Sequence, residues 1–146
     1  MNILMFTRCM GAGGTEKVIL QLCDALNDSE NKVIVCAASG NGVEKLKEKK
    51  IKYYEIPDIQ NKNPGIVINV VEILLKIIDE EKIDIVHTHH RMAAFYIGMI
   101  KKMRNIKIVN TIHNTFDDKK RLTKFVFDRT ENIAVGNSVF DNMTKY

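Results

Sequence analysis

An α/β fold is predicted here, a doubly wound parallel sheet in three layers (α/β/α), and three observations predict it. Short apolar runs of strand length alternate from end to end with stretches whose apolar residues recur about every 3.6 positions. The first of them, "NILMF" (2–6), is a short apolar run as expected of a strand covered on both faces. The length of 146 residues and a composition 45% hydrophobic and 27% charged suit one ordinary globular domain with a real core.

Each element follows in order. "NILMF" (2–6) is the first strand. After a glycine cluster, Val18, Ile19, Leu22, Cys23, Ala25 and Leu26 form the apolar face of an amphipathic helix that begins near Thr15, and Asn27, Asp28, Ser29 and Asn31 end it. "KVIVCAA" (32–38) is the second strand, "VEKLKEKK" (43–50) a short polar helix and "IKYYEI" (51–56) the third strand. A polar connection from Pro57 leads to Asn63 and Pro64. An amide that can cap is followed there by a proline where no N–H is needed, so a helix opens. That helix carries Val67, Val70, Val71, Leu74, Leu75 and Ile78 on one face, a paired spacing that argues helix despite the β-branched residues. "KIDIVH" (82–87), "IKIVNTIH" (106–113) and "NIAVG" (132–136) are strands four to six, with helices over 92–103 and 119–128 between them. Alternating units of this kind need right-handed crossovers, which gives a Rossmann-like sheet with the expected strand order 3-2-1-4-5-6.

Ser138-Val139-Phe140-Asp141 reads as a capping box with Asp in the acidic position, so a last helix starts there. The chain stops at Tyr146 about two turns later without a stop signal. The expectation is the first domain of a longer protein.

Composition also narrows the function. A net charge of +4 is too mild to argue for nucleic acid, although basic residues cluster at Lys101, Lys102, Arg104 and Lys107 and again at Lys119, Lys120, Arg121 and Lys124. These are a solvated surface or a site of attraction to anionic lipid or phosphate. Cys9, Cys23 and Cys36 are odd in number and lack metal-ligand spacing, which predicts buried thiols in a reducing, cytoplasmic compartment. The N-terminus does not read as a signal peptide. The most apolar stretch, 66–78, is interrupted by Asn69, Glu72 and Lys76 and falls short of the roughly 20 residues that span a bilayer.

In such a sheet ligands bind beyond the carboxyl ends of the strands. This sequence places Arg8 to Thr15 after strand one, "HTHHR" (87–91) after strand four, "HNTFDDKK" (113–120) after strand five and Gly136-Asn137-Ser138 after strand six. Gly13 and Gly14 allow close backbone approach, and the helix beginning near Thr15 aims free N–H groups at the same spot, so a phosphate or diphosphate is the expected guest. The spacing G-A-G-G-T-E lacks the third glycine of the dinucleotide fingerprint, and strand two ends without an acidic residue for the ribose. No Gly-Lys-Ser/Thr follows, so it is no P-loop. His87, His89 and His90 invite a metal reading, but His113 is the only other histidine and no carboxylate is suitably placed, so no metal is expected. His87 finishes its strand with a hydrogen bond, while His89 and His113 bond sugar or acceptor hydroxyls. Asp117 and Asp118 precede a lysine-rich helix, where a helix N-terminal role is expected rather than a glycosidase pair.

Four segments taken together carry a resemblance: "GAGGTEKVILQLCDAL" after strand one, "IDIVHTHH" at strand four, "NTIHNT" at strand five and "IAVGNSV" at strand six. They resemble the N-terminal domain of family 4 glycosyltransferases, which are retaining, nucleotide-sugar-dependent enzymes of the GT-B fold. The resemblance spans essentially the whole chain. It implies a second, donor-binding C-terminal domain across a cleft, with Gly13, Gly14 and Thr15 approaching the donor diphosphate from the acceptor side. It further implies that catalytic His113 lies beside the transferred sugar and that Arg8, His89, Arg91, Asn114 and Thr115 belong to the acceptor side. No metal or other cofactor is implied, because N–H groups and basic side chains can stabilise the leaving diphosphate. The implied activity is transfer of a hexose-type sugar to a glycan or lipid-linked acceptor in cell-surface polysaccharide synthesis, with peripheral contact to an anionic inner membrane face. A nucleotide-sugar 2-epimerase of related fold remains an alternative. So does a non-catalytic module of the response-receiver kind, although Thr7, Arg8 and Cys9 stand where its acidic cluster belongs.

Overall fold

In chain order the elements are β1 (Asn2–Cys9), α1 (Gly14–Leu26), β2 (Lys32–Ala38), α2 (Val43–Glu48), β3 (Lys52–Glu55), α3 (Pro64–Glu80), β4 (Ile85–Thr88), α4 (Arg91–Ile100), β5 (Lys107–Ile112), α5 (Lys120–Phe127), β6 (Glu131–Ala134) and α6 (Asn137–Met143). This is a computed structural model that describes residues 1–27 and 30–146. Asp28 and Ser29, two of the predicted helix-stop residues, lie outside the described residues.

All strand pairs are parallel, in the order β3-β2-β1-β4-β5-β6, as the alternating pattern predicts. The strand period of two divides the core into two layers. On one face Ile3, Met5, Val33 and Val35 meet α1 and α2 through Ile19, Leu20, Cys23 and Leu46. On the other, Leu4, Phe6, Ile34 and Cys36 meet α3 and α4 through Val70, Leu74, Ile77, Ala93 and Ile97. Burying each of the larger side chains contributes roughly 1.5–3 kcal/mol. The direction in which successive strands are added reverses between β1 and β4, and this switch point is where such a sheet leaves a crevice at the carboxyl ends of the two strands.

Several boundaries differ from the sequence reading, for local reasons. β1 continues past Phe6 to Cys9, so Arg8 belongs to the strand and not to the following loop. Its register on β2 shifts between Phe6 and Cys9, and the Met10 N–H then bonds Ala38 O at 3.1 Å. At α3 the predicted cap is present: Asn63 Oδ1 accepts from Gly65 N at 2.9 Å, with Pro64 opening the helix. The predicted capping box at Ser138 is absent. β6 feeds straight into α6 through an extended Gly136, so the helix starts at Asn137 and Ser138 lies inside it. The predicted helix N-terminal role of Asp117 and Asp118 is also absent, because Lys119, in the left-handed region at φ 47, is the N-cap of α5. No helix among the described residues is long and apolar enough to cross a membrane.

Candidate functional site

β1, β4 and β5 bring their ends together at the switch point. His89 N donates to Phe6 O at 3.0 Å, which extends the pairing just beyond β4 and fixes the backbone there. Alternation along the strand puts His87 and His89 on one face, with ring centroids 4.3 Å apart, and His113 follows at the end of β5 with its ring 5.5 Å from that of His89. His87 makes the hydrogen bond expected of it, with Thr111 Oγ1 at 2.8 Å. His89 Nδ1 stands 3.2 Å from His113 Nε2, and His89 Nε2 is buried with no partner among the described residues. His90 turns away, and its Nδ1 accepts from Met92 N at 3.1 Å to cap α4. No three His, Cys, Asp or Glu side chains among the described residues converge as a metal-binding group.

Burial sets the charge state of this cluster. It pushes His89 down to about 3, with smaller contributions from His87 and His113. It pushes His87 and His90 down to about 4 each. His113 is lowered as well, by burial, against an opposing pull from the Glu16 carboxylate. At neutral pH all four rings are uncharged.

Beside the histidines lies a cleft of about 240 Å³, bordered by His89, His113, Asn114, Arg91, Lys62 and Lys119 among others. No carboxylate borders it, and three cations do. Arg91 is 12% exposed at its side chain and firmly held. Its Nη1 is 2.9 Å from Asp118 Oδ1 and 3.1 Å from Thr123 Oγ1, and its guanidinium lies 4.3 Å over the Phe116 ring. The adjacent Arg91 holds the Asp118 carboxyl below its usual range. Asp118 therefore serves as a partner of Arg91 rather than as a helix cap.

The other predicted residues are placed as follows. Asn114 borders the cleft, and Thr115 stands next to it on the same exposed loop. Arg8 points along the edge of the sheet, where Nε and Nη2 grip Asp58 at 3.1 and 2.8 Å. Gly13 is the N-cap of α1 and makes no side-chain cap bond, and Gly14 and Thr15 form its first turn. A Cβ on Gly14 would meet nothing within 4 Å, whereas one on Gly13 would lie 2.7 Å from Glu16 Oε2. The glycine loop thus has open space on one side and a carboxylate folded over it on the other.

Sequence reasoning missed three supports of this edge. Gly40 and Gly42 press against the backbone of Met10 and Gly11, and a Cβ on Gly40 would fall 2.2 Å from Met10 O. "SGNG" after strand two carried that signal. Asn142 is buried and pairs with the backbone of Phe116, accepting from its N–H at 2.7 Å and donating to its carbonyl at 3.1 Å. It ties the loop after His113 to α6, and no local pattern announces such a contact. Glu16, which the sequence showed only as the last residue of G-A-G-G-T-E, lies against Gly13.

Residues 12–145 match the sequence profile of Glycosyltransferase Family 4. The chain belongs to glycosyltransferase family 4. No curated protein sequence matches this family 4 chain. Solved structures of similar fold include a glycosyltransferase from Rickettsia africae ESF-5, with TM-score 0.76 and 23% identity, covering 99% of this chain and 39% of that one. A lipopolysaccharide outer core galactosyltransferase in apo form has TM-score 0.75 and 19% identity, with coverage of 99% and 42%. A UDP-GlcNAc 2-epimerase from Neisseria meningitidis bound to UDP-GlcNAc has TM-score 0.69 and 14% identity, with coverage of 99% and 43%. The family 4 chain thus spans about two fifths of the length of each, and these likenesses establish the shared Rossmann-like fold.

Proposed function

We propose that this chain is the N-terminal, acceptor-side domain of a retaining glycosyltransferase that takes its sugar from a nucleotide donor and works with a second, donor-binding domain. One observation carries the reading. A glycine loop at a helix N-terminus and an acid-free, cation-bordered cleft holding His113 share the carboxyl edge of one sheet. Family membership supports it, and so does the fold shared with a galactosyltransferase.

In this proposal Gly13, Gly14 and Thr15 approach the donor diphosphate, where backbone N–H groups and the helix end offset the charge of the leaving group without a metal or other cofactor. His113 lies beside the transferred hexose-type sugar. Asn114, Thr115, Arg91 and Arg8 shape the acceptor side, and His89 supports it from behind His113. The acceptor is a glycan or lipid-linked sugar of cell-surface polysaccharide synthesis, made on the cytoplasmic face of the membrane. The exposed basic residues of 101–107 and 119–124 draw the domain to anionic lipid, and vesicle sedimentation that ignores anionic lipid content removes this part.

Gly14→Ala in an enzyme carrying both domains tests the reading. The new methyl enters open space and improves helix propensity, so the melting temperature is expected to hold or to rise by the equivalent of about 1 kcal/mol or less. Affinity for the nucleotide-sugar donor is expected to fall at least tenfold. Unchanged affinity would remove the diphosphate from this loop, and transfer at full rate by the 146-residue chain alone would remove the second domain. A 2-epimerase is the second reading, favoured by the fold likeness to the UDP-GlcNAc-bound enzyme. Incubation with a nucleotide sugar separates the two, since an epimerase inverts the 2-carbon of the donor sugar without consuming an acceptor.

A further inference from the structure

The facing nitrogens of His89 and His113 raise a question that distance alone does not answer: which ring donates. Both imidazoles are neutral, so one hydrogen lies between His89 Nδ1 and His113 Nε2, and each ring carries one further nitrogen with the complementary role. In one arrangement His89 donates from Nδ1. Its Nε2 is then a bare lone pair, and the hydrogen of His113 sits on Nδ1. In the other, His113 donates from Nε2, the hydrogen of His89 sits on Nε2, and His113 Nδ1 is a bare lone pair.

Two surroundings distinguish them. His89 is 4% exposed and its Nε2 meets no partner among the described residues. Buried N–H groups without an acceptor are rarer in proteins than buried acceptors without a donor, so the first arrangement leaves the more tolerable orphan. His113 is only partly buried, borders the cleft, and has no partner for Nδ1 among the described residues. The Glu16 carboxylate, folded over the glycine loop at Gly13, acts on this ring. The buried Nε2 of His89 selects the first arrangement, and the partly buried His113 ring, at the cleft, accommodates a hydrogen on Nδ1.

We propose that His89 is a positioning residue that holds His113 in its Nδ1–H tautomer, so that the cleft meets a hydrogen-bond donor and not a base at this point. The ligand atom bound there is consequently a lone-pair oxygen, and His113 leaves it protonated or not as it arrives. This rests on the reading of His113 as the residue beside the reacting sugar only for its consequence in catalysis. The tautomer itself is a property of the free chain.

The test is a long-range ¹⁵N–¹H correlation spectrum of the uniformly ¹⁵N-labelled 146-residue chain at neutral pH without ligand. Both His89 and His113 are expected to show a protonated Nδ1 and a bare Nε2. A hydrogen on His113 Nε2 overturns the proposal. His89→Phe keeps a ring but loses the donor, and His113 is expected to revert to the Nε2–H form that free histidine prefers. His89→Asn offers an amide N–H in place of Nδ1–H and is expected to preserve the wild-type pattern. Retention of Nδ1–H in the Phe variant overturns the positioning role. Should the Phe variant not fold, the wild-type and Asn spectra decide. No donor or acceptor sugar enters these spectra, so their outcome is independent of whether the chain serves a glycosyltransferase.

Discussion

Four histidines in a span of 27 positions would each add a proton to the unfolded chain below about pH 6.5, whereas in the folded protein burial holds the pKa of each below that value. Burial depresses their folded pKa values, so the stability tied to their neutral form is complete above 6.5. It is lost as pH falls from 6.5 toward about 4 for His87 and His90 and about 3 for His89. Each contributes a slope of up to about 1.4 kcal/mol per pH unit in that window. Denaturant midpoints measured from pH 7 to pH 4 are expected to fall steeply, and His90→Asn, which keeps an acceptor for the Met92 N–H, is expected to flatten the curve. A flat profile in the wild type would contradict the burial of the cluster. At this scale the sequence revealed which residue types gather at the sheet edge. It did not reveal that His90 caps a helix or that His89 lies behind His113, because both depend on where neighbouring strands place the rings.

Helix ends show how local rules and tertiary context divide the work. α2 and α3 both close in a Schellman arrangement. Ile51 N bonds Leu46 O and Lys50 N bonds Lys47 O, while Ile83 N bonds Ile78 O and Lys82 N bonds Asp79 O. Lysine occupies the left-handed position in each, at φ 56 and φ 50, where glycine is the unstrained choice. Lys50→Gly is expected to stabilise the protein by about 1 kcal/mol, read as a rise in denaturant midpoint at constant slope. A decrease would show that the lysine side chain contributes more than the backbone strain costs. The start of α3 was legible because Asn63 and Pro64 act within the helix itself. The start of α6 was not, since the end of β6 sets it and Ser138 is carried past the cap.

Across the whole molecule, the ion pairs of Glu81 and the candidate cleft occupy opposite edges of the sheet. At the amino edge the Glu81 carboxylate, 6% exposed, accepts from Lys32 at 2.8 Å, from Lys52 and from the Tyr54 hydroxyl, while its backbone carbonyl holds the Asn2 amide at 2.8 Å. One side chain thereby joins α3 to β2 and β3. Hydrogen bonds from Lys32, Lys52 and Tyr54 depress its pKa from 4.5 to about 2, so the stability it supplies is present above 4.5 and disappears as pH falls toward 2. Glu81→Gln is expected to cost about 1–3 kcal/mol at pH 7 and to remove that acid dependence, with the cleft and any ligand affinity at the other edge unchanged. Loss of binding together with stability would show the two edges to be coupled.

The sequence by itself pointed to the fold class, the strand order and the sheet edge that carries the candidate cleft. Helix and strand periods, Asn63-Pro64 and the glycine loop are short-range signals, and right-handed crossovers leave a chain of alternating units only a few ways to wind. Only the tertiary structure decided which polar side chains are free. Arg8 is engaged by Asp58, Arg91 by Asp118 and Thr123, His89 by His113, and Asn142 by the backbone of Phe116. Those partners lie 24 to 50 positions apart in the chain, and distance in sequence carries no hydrogen-bond geometry. Packing the sheet brings them within reach, and the same packing leaves His113 and the glycine loop open to a ligand.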